Sequence, residues 1–503
     1  MKLAFPWSFA ARVCAVAFVV VGATQAAFGA LTHDPALRWK SLYSAHFVVH
    51  YHDGEEALAR TAIAVAEQAH ARLSPVFKWT PADRTEIILT DRFDGPNGYA
   101  TPVPTNRMGI YVNAPDEIDG LEDHGGWLET VIIHEYAHIL HLDKAAGGPR
   151  FLRSVFGRAP IPLGVLVTFP NAYQPTWLIE GLAAYLESDL ARGIGRGQSA
   201  YFNMLMRMEV AQGVKPLRQV NQPISSWPAG ATPYLYGVEF NNFVAAQKDP
   251  KKIMQLVENY SDDILPFFIN RNSKKVFRQN LSGMWDEFAQ YLKQKHEPVL
   301  AAVDARGVRA GARITDDGYI GGPARALADG TLIYIRNDGR SEPRLMIQRP
   351  GKLRAKRLAY VHYGARFDVH PSAGVLVAQP ERYRNANVYY DLYRVDLKSG
   401  STRRLTRAGR YRFATWNPDG SRIAAAFSEN GRQALHLLDA RGRKPEVIAE
   451  MGADEIISEL DWSPDGKSIA AAIWRPRDGW NIENLDVTTR QWQALTRDGA
   501  LEG

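Results

Sequence analysis

The sequence predicts a multidomain chain, an α+β domain followed by an all-β array of about four repeats. Three observations point there. The length, 503 residues, exceeds what one hydrophobic core ordinarily serves. Helix and strand patterns alternate up to about residue 300, and only short β-runs and turns follow. Within that second part a segment recurs at a period near 45 residues. A composition of 46% hydrophobic and 23% charged residues excludes a disordered chain.

Residues 1–30 stand apart. Lys2 and Arg12 precede or flank an apolar run over 13–21, and small residues follow. That is the layout of a secretory signal peptide cleaved near residues 26–30, the alternative being an uncleaved anchor. The run is short for a spanning helix, so no transmembrane span is expected in the mature chain, which is read as periplasmic or secreted. The lone cysteine, Cys14, lies in this segment. A mature chain without thiols has neither disulfides nor thiolate ligands. Two of the +6 formal charges would leave with the leader. The basic stretches 351–358 and 403–412 read as solvated loops, with contact to anionic envelope material as the alternative. Nucleic acid is not an expected partner outside the cytoplasm.

In residues 31–300, "HFVVHYHD" (46–53) and "TEIILTD" (85–91) read as strands and 54–73 as an amphipathic helix. His46, His50 and His52 share a strand face, read as exposed rather than metal-binding. The run 108–113 alternates and reads as a further strand. From Trp127 the pattern is mostly helical, as far as "MWDEFAQYLKQKHEP" at 284–298.

The helix "WLETVIIHEYAHILHLD" (127–143) has no polar face, yet it holds His134, Glu135, His138 and His141. Ionisable groups in such a helix are costly unless compensated. His134 and His138, spaced i, i+4, present both imidazoles on one face, and zinc takes neutral imidazole readily. Glu135 stands beside the first, within reach of a metal-bound water. The alternative is a set of core histidines satisfied by hydrogen bonds. His141, one turn on, either lines the site or serves structurally.

A second helix, "PTWLIEGLAAYLES" (175–188), brings Glu180 near its start. Together the two segments resemble the gluzincin zinc metallopeptidases, in which a Glu of "W-x-x-E-G-x-A" completes a His-Glu-x-x-His site. Trp177, Glu180, Gly181 and Ala183 match that line. The metzincin arrangement is excluded, since Lys144 and His141 occupy its His and Gly positions. The resemblance implies that His134, His138 and Glu180 bind Zn²⁺, with Glu135 as general base. It also implies an edge strand before the zinc helix, where a peptide substrate pairs backbone to backbone. A tyrosine of "PYLYGVEFNNFV" (233–244), Tyr236 or Tyr234, would donate to the oxyanion, core packing being the alternative. Ile179 stands where Asn is common, and Ala184 where some members place an Asp behind a ligand histidine. What orients the histidines is thus left open. Glu187 reads as a reserve ligand or a solvated helix end.

Residues 301–313 read as a linker and 314–503 as the repeat array. "LADGTLIYI", "PSAGVLVAQ", "NPDGSRIAAAF" and "SPDGKSIAAAI" align on Gly330, Gly374, Gly420 and Gly466, at spacings of 44, 46 and 46. Each unit holds about four strands, and one such sheet cannot bury both faces, so the units pack around an axis. The line from Trp462 to Ala470 resembles the blades of TolB-like β-propellers. A further landmark recurs at Ile314, Leu358, Leu405, Ile448 and Leu495. The sequence stops at a blade boundary, so an incomplete propeller is expected, an open arc whose end blades do not pair. The implied activity is peptide-bond hydrolysis, with the propeller recruiting substrate or an envelope protein. The competing expectation is a non-catalytic envelope scaffold acting through the propeller.

Overall fold

The computed structural model describes residues 34–497, apart from 35, 117–120, 122–123, 159–166, 190, 225, 310, 317, 353 and 384–385. The leader expected at 1–30 lies outside the described residues. A helical N-terminal region with one sheet is followed by a four-bladed β-propeller.

The sheet comprises β1 (Trp39–Tyr43), β2 (Phe47–His52), β3 (Thr85–Thr90), β4 (Gly98–Thr101) and β5 (Arg107–Tyr111), ordered β1-β2-β3-β5-β4. β2, β3 and β5 run parallel, while β1 and β4 are antiparallel edges. The edge nearest the long apolar helix is therefore β4, not the alternating run at 108–113, which pairs on both sides. Helix α1 (Glu56–Phe77) crosses from β2 to β3 and buries an alanine stripe, Ala59, Ala62, Ala66 and Ala69. Spacings of three and four put these small residues on one face, so the helix lies close to its neighbours.

The apolar helix is α2 (Trp127–Asp143), and 15 of its 17 residues are buried. It packs between the sheet and the helices that follow: α3 (Gly147–Phe156), α4 (Thr176–Glu187), α5 (Ala200–Gln212), α6 (Thr232–Gln247), α7 (Lys251–Ser261), α8 (Ile269–Phe277) and α9 (Leu281–Arg306). The strand histidines do not form an exposed row. His46 meets Glu67 (2.7 Å), His50 meets Ser41 (2.9 Å), and buried His52 meets Glu55 (3.2 Å).

The blades are β6–β9, β10–β13, β14–β17 and β18–β21. The first has strands Ile320–Ala326, Leu332–Asn337, Arg344–Gln348 and Lys356–Tyr360, and the second Arg366–His370, Gly374–Arg382, Val388–Val395 and Thr402–Arg404. The third has Tyr411–Trp416, Arg422–Glu429, Arg432–Asp439 and Glu446–Glu450, and the fourth Ile456–Trp462, Ser468–Arg475, Gly479–Asp486 and Trp492–Ala494. The aligned glycines Gly330, Gly374, Gly420 and Gly466 all have positive φ (81, 96, 71 and 70°), which explains why the repeat keeps glycine there. Three apolar clusters join adjacent blades. Ile333, Leu345, Val375 and Val377 bind the first to the second, Leu392, Trp416 and Ile423 the second to the third, and Leu435, Ile457 and Ile469 the third to the fourth. Among the described residues no strand pair joins the first blade to the fourth, because β6 pairs with β7 and β21 with β20.

The propeller is fixed to the first region by buried charge. Arg410 donates from Nε to Asp94 (2.9 Å) and from Nη2 to Asp91 (2.6 Å). Arg412 reaches Asp116 (2.9 Å), and Ser428 donates to Asn113 (2.7 Å). All seven of these side chains are buried.

Candidate metal centre

Helix α2 sets His134 and His138 one turn apart, with ring centroids 4.7 Å from each other. Helix α4 brings Glu180 across to them. What lets it approach is a contact between glycines. A Cβ on Gly181 would lie 2.2 Å from the Cα of Gly237, so α4 and α6 cross at backbone contact. Glu180 and Tyr234, flanking that crossing, are thereby drawn to one place. Trp177 anchors the start of α4, donating from Nε1 to Asn221 (2.7 Å).

Three donor atoms converge. His134 Nε2 and His138 Nε2 are 3.1 Å apart, and Glu180 Oε2 lies 3.4 and 3.2 Å from them. One donor atom from each residue falls within 4.8 Å of the others. An ion about 2.0–2.2 Å from tetrahedral nitrogen and oxygen donors separates those donors by about 3.3–3.6 Å. The triangle has nearly that size before any ion is placed in it, and two imidazoles with a carboxylate are the donor types zinc accepts. The residues fit the ion.

Glu187 differs from both sequence readings. It is not a solvated helix end, being fully buried, and it does not join the triangle. Its Oε2 lies 2.7 Å from the far nitrogen of His134, Nδ1. A carboxylate there accepts a hydrogen bond from Nδ1–H and so leaves the Nε2 lone pair facing the other donors. Arg196 holds Glu187 in turn, through Nε (2.7 Å) and Nη2 (2.8 Å). Arg196 Nη2 also approaches His134 Nδ1 to 2.9 Å. Both nitrogens carry protons in that arrangement, so the carboxylate between them accepts both bonds. Burial raises the cost of charge on Glu187, but Arg196 and His134 outweigh it and hold the carboxyl down to about 2. Glu187 does from α4's last turn what Ala184 cannot. No periodicity marks Arg196, which sits in the glycine-flanked turn "GIGRGQ", and sequence reasoning missed it.

Glu135 is buried, and desolvation raises its pKa, partly offset by the neighbouring histidines. Gly98 of the edge strand β4 passes over it, where a Cβ would come within 2.5 Å of its Oε1. The two tyrosines separate. Tyr234 faces the cluster, its ring 6.2 Å from that of His134 and 4.5 Å from the Arg196 guanidinium. Burial, then Glu180, raises its pKa, so the phenol stays a proton donor. Tyr236 points away. It is fully buried, donates to Glu209 (2.6 Å) and accepts from the Lys215 backbone (2.9 Å), which makes it a core residue. His141 also stands apart, packed beside Phe77 with ring centroids 6.4 Å away. Burial lowers its pKa to about 3, so it is neutral.

No protein-family model matches the sequence, and no curated protein does. Solved structures similar to parts of the chain include a putative TolB from Agrobacterium tumefaciens, at 14% identity and TM-score 0.31, over 36% of this chain and 68% of that one. TolB from Acinetobacter baumannii is similar at 17% identity and TM-score 0.29, over 35% of this chain and 44% of that one. A puromycin hydrolase is similar at 24% identity and TM-score 0.28, over 36% of this chain and 32% of its own length.

Proposed function

We propose that the chain is an exported zinc metallopeptidase of gluzincin type. The observation that supports this most is the triangle of His134 Nε2, His138 Nε2 and Glu180 Oε2, sides 3.1–3.4 Å, with Glu135 on the same helix turn. In this reading those three residues hold the ion. Bound zinc would supply Lewis acidity to the scissile carbonyl and acidify the attacking water.

The chain's own groups do the rest. Glu135, its carboxylate destabilised by burial, takes the water's proton and delivers it to the amine as the C–N bond breaks. Tyr234 donates its hydroxyl to the oxygen that gains charge. Glu187 and Arg196 fix the tautomer and tilt of His134. Strand β4 offers its free edge to an extended peptide, and the absence of a side chain on Gly98 leaves the backbone close to Glu135. The propeller recruits the substrate or an envelope protein, and the periplasm is the proposed compartment.

Glu135→Gln tests the assignment. It should bind zinc like the wild type while peptide cleavage falls at least about 10²-fold. Equal cleavage by both proteins over a peptide library would refute the role of Glu135. Absence of cleavage by zinc-loaded wild type would favour the scaffold instead.

A further inference from the structure

Helix α3 is turned inside out. One of its two cations, Arg153, points inward, donating to Asp143 (3.2 Å) and to the Thr168 carbonyl (3.0 Å) over the ring of Phe169. Its large apolar residues point to water: Phe151 is 66% exposed, Val155 59% and Phe156 52%. The loop from α7 to α8 continues the same surface with Ile264, Leu265, Phe267 and Phe268, all exposed. The two segments touch, for Ala146 N–H donates to the Ser261 carbonyl (2.9 Å), and Gly148 lies against Ile264 where a Cβ would be 2.7 Å away. Exposed apolar residues scattered singly need no explanation, but seven on two touching segments do.

Positive charge predominates around the patch. Residues 147–158 contain Arg150, Arg153 and Arg158 and no acid, and residues 264–278 contain Arg271, Lys274, Lys275 and Arg278 and no acid. Asp143 and Asp263 nearby are neutralised by Arg153 and Arg158, and by Arg271 (2.5 Å). Asp262 is exposed, as is Glu258 one turn before it, which pairs with Lys78 (3.8 Å). Two copies pressed together here would oppose like charges, which disfavours self-association. A ten-residue helix is about 15 Å long, too short to cross a bilayer but suited to lying in its interface. Among the described residues no helix is long and apolar enough to cross a membrane.

We propose that this face docks the protein on the surface of an anionic phospholipid bilayer. The aromatic and aliphatic side chains enter the acyl boundary, and the cations meet the headgroups. The test is flotation of the purified full chain with vesicles of phosphatidylcholine alone or mixed with phosphatidylglycerol. The wild type should float with the mixed vesicles and be released by salt. Phe151→Ser/Phe267→Ser and Lys274→Glu/Lys275→Glu should each reduce the bound fraction about tenfold, with circular dichroism and zinc content unchanged. Absence of flotation, flotation equal for wild type and variants, or binding indifferent to phosphatidylglycerol would overturn the proposal. So would a lipid-free dimer, seen by sedimentation velocity, that the double-serine variant dissolves.

Discussion

Replacing Glu187 by Gln separates the support of the metal centre from its ligands. The change keeps side-chain shape and removes one charge. Its effect on zinc acts through His134, whose Nδ1 is 2.7 Å from the lost carboxylate. Groups of this kind are worth about 10–100-fold in metal affinity, or about 1.4–2.7 kcal/mol. The effect on folding acts through Arg196, whose side chain is 11% exposed and has Glu187 as its carboxylate partner. A buried charge left without its partner costs about 3–5 kcal/mol. The two costs come apart in Glu187→Gln/Arg196→Met. Removing the stranded charge should restore most of the metal-free stability, while zinc affinity stays low because Nδ1 still lacks a carboxylate. Competition with a chelating dye reads the affinity, and thermal unfolding without metal reads the stability. Glu180→Gln should lose more affinity than Glu187→Gln, since it removes a donor. Wild-type zinc affinity in Glu187→Gln would refute the reasoning, and a larger loss there than in Glu180→Gln would make Glu187 the third ligand.

The tyrosines should separate by assay: Tyr234→Phe should lower kcat about 10²-fold with zinc and fold intact, whereas Tyr236→Phe should spare kcat and cost about 1–3 kcal/mol of stability, by losing its bond to Glu209. Equal kcat losses would show that the site does not distinguish them. The hydrogen bond to Glu55, opposed by burial, lifts His52 to about 8 from 6.5. A raised pKa stabilises fully below pH 6.5 and is lost as pH passes 8, so stability to urea should fall by about 1–2 kcal/mol across that window; an unchanged slope in His52→Gln would exclude this pair as its source. Arg410→Met strands Asp91 and Asp94 and should cost about 3–5 kcal/mol, calorimetry then showing the two regions unfolding separately. One unshifted transition would contradict the importance of this contact.

Much of this was legible where a local rule decides. The helix over 127–143 and the turn glycines of the blades follow from apolar saturation and from φ > 0, both properties of short segments. Residues that act across the fold were hidden. Glu187 and Arg196 meet because the turn after α4 folds back on it, and nothing in their spacing announces a 2.7 Å contact. Tyr234 and Tyr236 differ by two positions, so helical geometry turns them to different faces, but which face meets the cluster depends on the Gly181–Gly237 crossing. The edge strand was displaced to β4 because Gly98–Thr101, with one apolar β-former and a glycine, carries too weak a strand pattern to compete with 108–113. The strand histidines alternate onto one face, yet each finds its own partner: Glu67 of α1, Ser41 of β1, and Glu55 at the N-terminus of α1.

The propeller and the N-terminal region solve each other's problem. Among the described residues three apolar seams join the four blades in turn, and no backbone ladder crosses from one blade to the next. A seam of this kind can open without breaking a ladder of backbone hydrogen bonds. The N-terminal region crosses the seams. Asp94 accepts from the Tyr390 backbone of the second blade (2.7 Å) and from Arg410 at the entry to the third (2.9 Å). Asp116 meets Arg412 of the third (2.9 Å), and its carbonyl accepts from Ser458 of the fourth. His124, three residues before α2 begins, packs its ring tilted against Trp474 of the fourth at 4.4 Å. These contacts brace the second, third and fourth blades from one side. Residues 91–94 link β3 to β4, and Asn113, Asp116 and His124 lie between β5 and the start of α2, whose third and fourth turns carry His134 and His138. Opening of these seams is therefore resisted by residues that lead into the helix proposed to carry the metal ligands.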